Sequence, residues 1–455
     1  MEALPQGGWR AWTRRAEEAS IGPGLGQRLR RGVLGNGAAT AFMQASVLVG
    51  QVVVANLLGR EAFGQFNLVF STVATLSAVA GLATGLTATK YAAEFRRSDP
   101  AAAERVLGMC LGVAIVSGVV AAGGLLLASP VVAEQVFQDA GLTRELVLAA
   151  GYVLFTVVNG YQTGALAGLE AYPAMARAAL IVALLHVALV SGSTWLWGLA
   201  GATGALALSA SVRWWVYSRA LARALRHHGL EPSARALAGP REVLWRFTLP
   251  AALGGLSAMP ALWLGNLILA QQPQGYAKLG VYGAAGALRA AVLMLPLLFN
   301  TVGTSLLNER RGARDQHGYR RVYWFNLGAT FALAAVAAGL TFAAAPVLLR
   351  AFGPAFADGA RVLGLLLFST VPESLSVAAY QSVQSQGRMW LSLFAVSLPR
   401  DGAFVLLALW LVPRAGAEGL AMAYLLSWCL ALAAILAIVR RLGLAIHASG
   451  ESHAG

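Results

Sequence analysis

Residues 106–129, VLGMCLGVAIVSGVVAAGGLLLAS, hold 24 consecutive positions without a charged side chain. A helix of that length rises about 36 Å, enough to cross the roughly 30 Å hydrocarbon core of a bilayer. Glu104 and Arg105 bound the stretch on one side and Pro130 on the other. Comparable stretches recur outward from it in both directions. They predict twelve transmembrane helices at 33–57, 66–89, 106–129, 146–168, 174–197, 200–220, 247–270, 279–307, 325–349, 362–384, 390–412 and 418–439. Only a short Gly-Ala stretch around Trp197 to Gly204 divides the fifth from the sixth, and an eleven-helix count would move the C-terminus to the other side. With 58% hydrophobic and 12% charged residues among 455, about half the usual charge, a water-soluble fold is excluded in favour of an all-α polytopic membrane protein.

The charges test that topology independently, because short cytoplasmic loops collect Lys and Arg. Of 34 such residues, 26 fall on segments assigned to one side. Six fall on the other: Arg60, Arg144, Lys278, Arg350, Arg361 and Arg414. Both termini are therefore expected in the cytoplasm. The net charge of +14 sits in loops between apolar spans, where topology and anionic headgroups account for it, so nucleic acid is not an expected partner. Residues 1–30 are Arg-rich and lack the apolar run of a cleavable signal. Cys110 and Cys429 lie on separate helices without metal-ligand neighbours and are expected to pack in the core.

The chain also repeats itself. Tyr161-Gln162-Thr163 recurs as Tyr380-Gln381-Ser382, and Gly168 recurs as Gly387 at the same offset of 219. At an offset of 216, Gly64-Gln65-Phe66 matches Gly280-Val281-Tyr282. Two six-helix bundles follow, at 33–220 and 247–440. They are joined by a cytoplasmic linker at 221–246 and flanked by cytoplasmic segments at 1–32 and 441–455. An even helix number makes the halves parallel repeats, and such transporters keep their substrate path between the repeats. Gly160, Gly164 and Gly168, with Gly81 and Gly85, are spaced for close helix packing.

Four ionisable residues lie mid-helix, all in the second half: Arg289, Glu373, Arg400 and Asp401. Burying such a group costs at least about 2.5 kcal/mol, so it is normally paired or lines an aqueous cavity. Pro296 follows Arg289 within two turns, and Pro372 and Pro399 directly precede Glu373 and Arg400; broken helices of this kind mark transport sites. Two readings stand. In one, Arg289–Glu373 and Arg400–Asp401 are ion pairs that fix packing. In the other, Arg289 and Arg400 hold an anionic substrate, their planar forks matching diphosphate oxygens, while Glu373 and Asp401 tune the site or carry a coupling proton. Lys90, at the cytoplasmic end of the second helix, is either a topology anchor or a first contact for an entering phosphate. His186 is a core histidine or a proton relay, and Trp263 and Trp428 lie deep enough to contact a sugar. The first half has no mid-helix charge on this assignment. Neither a Gly-Lys-Ser nucleotide loop nor a His pair at metal spacing occurs, so no cofactor, metal or catalytic residue is expected.

Leu57-Leu58-Gly59-Arg60-Glu61-Ala62-Phe63-Gly64-Gln65-Phe66 resembles the Leu-Gly-x-x-x-aromatic-Gly-x-aromatic signature of polysaccharide-repeat flippases of the Wzx type. The Gly- and Thr-rich stretch Gly81 to Thr89, followed by Lys90 and a charged loop to Arg97, is similar to theirs. In the second copy, Asn266 to Tyr282, Gln271-Gln272-Pro273 replaces the Leu-Gly core. The resemblance implies a V-shaped, MATE-like pair of six-helix bundles in the bacterial inner membrane, alternating access to a cationic cavity. It further implies a polyprenyl-diphosphate-linked oligosaccharide as substrate, and membrane lipids, a polysaccharide polymerase and chain-length machinery as partners. On that resemblance Arg289, Arg400 and Lys90 meet the diphosphate. The family often spreads its cations over both halves, a pattern this chain departs from.

Three alternatives remain open. Multidrug exporters of the same superfamily often place a coupling carboxylate in the first half, and the six first-half spans hold no Asp or Glu. Peptidoglycan-precursor flippases carry helices beyond twelve. A membrane glycosyltransferase or polymerase, the enzyme alternative, needs a large exterior loop, and the longest here runs only from Pro130 to Glu145.

Overall fold

The computed structural model describes residues 25–231, 257–312, 316–385, 391 and 393–448, and among them every regular element is helical. In chain order these are α1 (Leu25–Ala80), α2 (Thr84–Phe95), α3 (Pro100–Val131), α4 (Thr143–Gly168), α5 (Tyr172–His227), α6 (Ala258–Ala270), α7 (Gly275–Gly312), α8 (Gln316–Ala343), α9 (Ala345–Ala351), α10 (Ala360–Ser385) and α11 (Leu398–Ala448). Eight described segments are long and apolar enough to cross a membrane. Three of them, on α1, α5 and α11, each contain two of the expected spans, and Ala258–Ala270 belongs to a further one.

A single glycine divides each double helix. Gly198 (φ 57°, ψ −134°) and Gly416 (φ 56°, ψ −128°) adopt nearly the same conformation, one that a Cβ strains. Gly59 (φ 75°, ψ 177°) divides α1. Each break folds the chain back into a hairpin so tight that a Cβ on Gly201 would lie 1.8 Å from the Ser193 carbonyl, and one on Gly419 would lie 2.4 Å from that of Leu411. The fifth and sixth spans thus separate at Gly198, inside the stretch that left the count in question. Gly198 and Gly416, and Ser193 and Leu411, stand at one offset of 218, so the duplication extends to backbone conformation.

Among the described residues apolar packing forms three clusters, and their distribution gives the molecule its shape. The largest joins both halves: Val54 to Val73, Leu142 to Val153 and Leu206 of the first with Leu279 to Val292, Phe352, Phe356 and Phe404 to Tyr424 of the second. Phe63 lies at its centre, 5.9 Å from the Phe356 ring and 6.4 Å from the Phe352 ring. The second cluster, from Ala88 to Cys110, Tyr161 to Val182 and Tyr217 to Leu230, belongs to the first half alone. The third, Ala379, Val396, Ala431 and Ile435, belongs to the second half alone. The halves share a core at the arginine-poor end and have separate cores at the arginine-rich end, which makes a V opening toward the arginines.

Backbone contact closes the apex. A Cβ on Gly64 would lie 1.8 Å from the Tyr276 carbonyl, and one on Gly280 would lie 2.1 Å from that of Arg60. These are the two repeat-related glycines, packed against each other's helices. Arg60 donates to the Ala277 carbonyl at 3.0 Å and pairs with Asp358 at 2.9 Å. Gln271 donates to the Val136 carbonyl and the Tyr276 hydroxyl to that of Phe137.

Some expectations are corrected. The second span is not one helix to residue 89: α1 stops at Ala80, and Leu82 and Ala83 take left-handed φ values of 45° and 52° before α2 begins. Gly81 serves that break rather than a packing ridge. Gly85 and Gly164 do allow close approach, since a Cβ on Gly164 would lie 2.0 Å from the Gly85 carbonyl. Cys110 is buried, but Cys429 is exposed on the outer face and packs in no core. Most of the expected linker, residues 247–256 of the seventh span, and Gly387 lie outside the described residues.

Candidate functional site

Arg289, Glu373, Arg400 and Asp401 come from three helices of the second half, and the structure gathers them around two aromatic side chains of the last hairpin arm. Arg289 on α7 donates from Nη1 to Glu373 Oε2 on α10 at 2.5 Å and to the Tyr424 hydroxyl at 2.8 Å. The Tyr424 hydroxyl in turn donates to Glu373 Oε2 at 3.0 Å, closing a triangle. Arg400 donates through Nε and Nη2 to Asp401 Oδ1 at 2.7 and 2.6 Å. The two ion pairs communicate through rings: Arg289 stacks on Tyr424 at 4.6 Å, Tyr424 meets Trp428 edge-on at 6.3 Å, and Arg400 stacks on Trp428 at 4.4 Å.

Local sequence explains the convergence. Gly416 folds α11 so that Arg400, sixteen residues before it, faces Trp428, twelve after it, and Phe404 likewise meets Tyr424 edge-on at 5.9 Å. A π-helical turn, Leu393–Ser397, precedes Pro399, and Pro372 lies within α10 before Glu373; such irregular turns re-aim side chains at functional positions. All four ionisable side chains keep 11–17% of their surface accessible. Arg289 Nε and Asp401 Oδ2 are buried without a partner. The cluster is neutral, with two guanidinium and two carboxylate groups, and its spare donors and acceptors are what an incoming polar group could use. Lys90 is not part of it. That side chain is exposed on α2 in the first half, its ammonium 4.7 Å over the Tyr91 ring. Among the described residues no group of three His, Cys, Asp or Glu side chains is placed to hold a metal ion.

Residues 29–306 match the family described as polysaccharide biosynthesis protein. The chain belongs to that family. Membership bears out the flippase resemblance drawn from residues 57–66. Curated proteins gave no match. Among solved structures, an inward-facing multidrug resistance MATE family transporter of the MOP superfamily superposes with a TM-score of 0.73 at 18% identity, over 90% of this chain and 96% of that one. The outward-facing conformation of such a transporter gives 0.69 at 19%, over 91% and 95%. A MOP superfamily transporter from Pyrococcus furiosus, described as having a binding pocket of reverse polarity that suggests a different function, gives 0.69 at 19%, over 91% and 95%. At these identities the likeness shows the fold, a MATE-like membrane-transporter fold.

In this polysaccharide biosynthesis protein two site features escaped the sequence. Tyr424 was one; its signal was its position four residues before Trp428, on the same helical face. The other corrects the statement that the first half lacks a mid-helix charge. Arg213 lies seven residues short of the sixth span's expected limit at 220, so the charge count of the sequence places it with the cytoplasmic residues. Measured instead from the hairpin at Gly198, Arg213 lies about 22 Å along α5, against about 21 Å from Gly275 to Arg289 and about 24 Å from Gly416 back to Arg400. Counted along their helices from these turns, the three arginines stand at similar distances.

Proposed function

We propose that the protein translocates a polyprenyl-diphosphate-linked oligosaccharide across the bacterial inner membrane for surface-polysaccharide assembly, with both termini cytoplasmic. The observation that carries this reading is the buried pair of arginines, Arg289 and Arg400, whose neutralising carboxylates and partnerless polar atoms make an exchangeable anion site. Family membership supplies the polysaccharide, and the transporter fold supplies the movement. Residues 33–220 and 247–440 are the units that move.

Charge asymmetry supports an opening toward the cytoplasm, because the V widens at the arginine-rich end. A lipid-linked donor enters there, and its diphosphate competes with Glu373 and Asp401 for the guanidinium forks. Phosphate contacts, which can be bidentate, replace the single-oxygen contacts to Glu373 and Asp401, so the arginines remain paired throughout and never carry the full cost of an isolated charge in lipid. Release of Glu373 from Arg289 is also where a coupling proton would act. Lys90 serves as an entry contact, and a polymerase with its chain-length machinery takes the product.

The test is the pool of polyprenyl-diphosphate oligosaccharide in a strain lacking the protein. Accumulation, reversed by the wild-type gene, with loss of surface polysaccharide is the expected result. An unchanged pool with greater sensitivity to cationic drugs would replace this reading with drug export.

A further inference from the structure

The interior of the first half contains a cavity of about 160 Å³ lined by α1, α4 and both arms of α5. Its polar lining is Gln51, Tyr152, Thr156, Asn159, His186, Ser209 and Arg213, and its apolar wall includes Phe66 and Phe70. Three polar groups there are buried without a partner: Asn159 Oδ1, Ser209 Oγ and Arg213 Nε, with Asn159 only 3% and Ser209 only 8% exposed. The Asn159 amide nitrogen is already used, donating to the Ala210 carbonyl at 3.1 Å, which leaves its oxygen as the unused group. Arg213 rests over the Tyr217 ring at 5.2 Å, and no carboxylate pairs with it among the described residues. Arginine at this depth in lipid is normally paired or in contact with water or ligand.

We propose that this cavity is a second binding site, for one sugar ring carrying an oxyanion, either a carboxylate or a phosphate. The Arg213 fork and the Ser209 hydroxyl supply donors for the oxyanion. Asn159 Oδ1 accepts from a sugar hydroxyl. Phe66 and Phe70, stacked at 6.2 Å and 7°, with Tyr152 edge-on to Phe70 at 6.0 Å, form an aromatic wall for the ring's C–H face. The volume equals about five waters, which suits one ring and excludes an oligosaccharide. Among the described residues no carboxylate lines the cavity, so a cationic compound meets no counter-charge from them. The site rests on the first half alone; the transport reading only names the molecule that carries the ring.

The test is direct binding to the full chain in phosphatidylcholine nanodiscs, read as the thermal unfolding midpoint, with glucuronate, glucose 6-phosphate, inorganic phosphate and glucose as probes. At least one of the two acidic sugars raises the midpoint saturably, and glucose does not. Which acid acts identifies the oxyanion. Arg213→Gln weakens that binding at least about tenfold, the loss of a charge-assisted contact, while Arg414→Gln, an exposed arginine at the opposite end, leaves it unchanged. If Arg213→Gln does not fold, Asn159→Asp, which sets a carboxylate against the guanidinium, abolishes binding instead. Indifference to both acidic sugars overturns the proposal, as does binding of inorganic phosphate as tight as that of glucose 6-phosphate, or a response that survives Arg213→Gln. A normal lipid-linked oligosaccharide pool in the deletion strain would remove the transport reading and leave this binding result standing.

Discussion

In the second half Arg289 and Arg400 meet carboxylates at 2.5 and 2.6 Å, whereas Arg213 of the first half, at a similar distance along its helix, faces neutral polar groups and a cavity. Duplication gave the two bundles one backbone plan, down to the paired glycine conformations at 198 and 416. It did not keep one electrostatic plan. Ion pairs neutralise both arginines of the second bundle, while no carboxylate among the described residues pairs with Arg213 of the first. A buried charge left uncompensated is costly and a paired one much less so, and the two halves therefore respond differently to loss of an arginine.

The largest expected difference is in stability. Arg289→Ala strands Glu373 in the bundle and destabilises the protein by about 3–5 kcal/mol; adding Glu373→Gln recovers most of this without restoring transport. Arg213→Ala strands no counter-charge and costs about 1 kcal/mol or less. Unfolding in detergent, followed for both single variants and the double variant, measures the contrast; equal losses for the two arginines would erase it.

Hairpin glycines come next. Gly198→Ala and Gly416→Ala each force a side chain into a glycine-only conformation, at about 1–3 kcal/mol, while Gly204→Ala, inside the helix with open space around its Cβ position, stabilises by up to about 1 kcal/mol. Equal effects at 198 and 416 sharpen the backbone half of the comparison; a tolerant position at either would break it.

A smaller effect is expected at the apex. Arg60 and Asp358 are 30% and 63% exposed, so Arg60→Ala changes stability by less than about 1 kcal/mol. The same energy shifts the balance between closed and open apex about fivefold at most. Amide hydrogen exchange across residues 276–280, at the start of α7, would rise in the Arg60→Ala background.

Much of the fold was legible because length, apolarity and the arginine bias are properties of the chain alone. Helix number, parity and the Gly198 boundary followed from them. The pairing of Arg289 with Glu373 and Arg400 with Asp401 was visible as one of two readings, because a charge in lipid needs a partner. The rest depended on geometry. Leu82 and Ala83 carry no helix-breaking signal, and their left-handed conformation comes from tertiary packing. Tyr424 joins the site only because Gly416 folds α11 back on itself. Arg213 was misplaced because its depth was counted from the end of an apolar run rather than from the hairpin that starts the helix. Cys429, apolar in company, faces outward because lipid accepts it as readily as a core does.

The most direct test is leaflet exchange in vesicles. Purified protein is reconstituted with a polyprenyl-diphosphate oligosaccharide, and the inward-facing fraction is followed by its protection from an added glycosidase. Protein-dependent equilibration that is lost in Arg289→Ala and Arg400→Ala, and partly kept in the lysine variants, is the predicted result. Exchange no faster than in protein-free vesicles, or alanine variants as fast as wild type, would contradict the account.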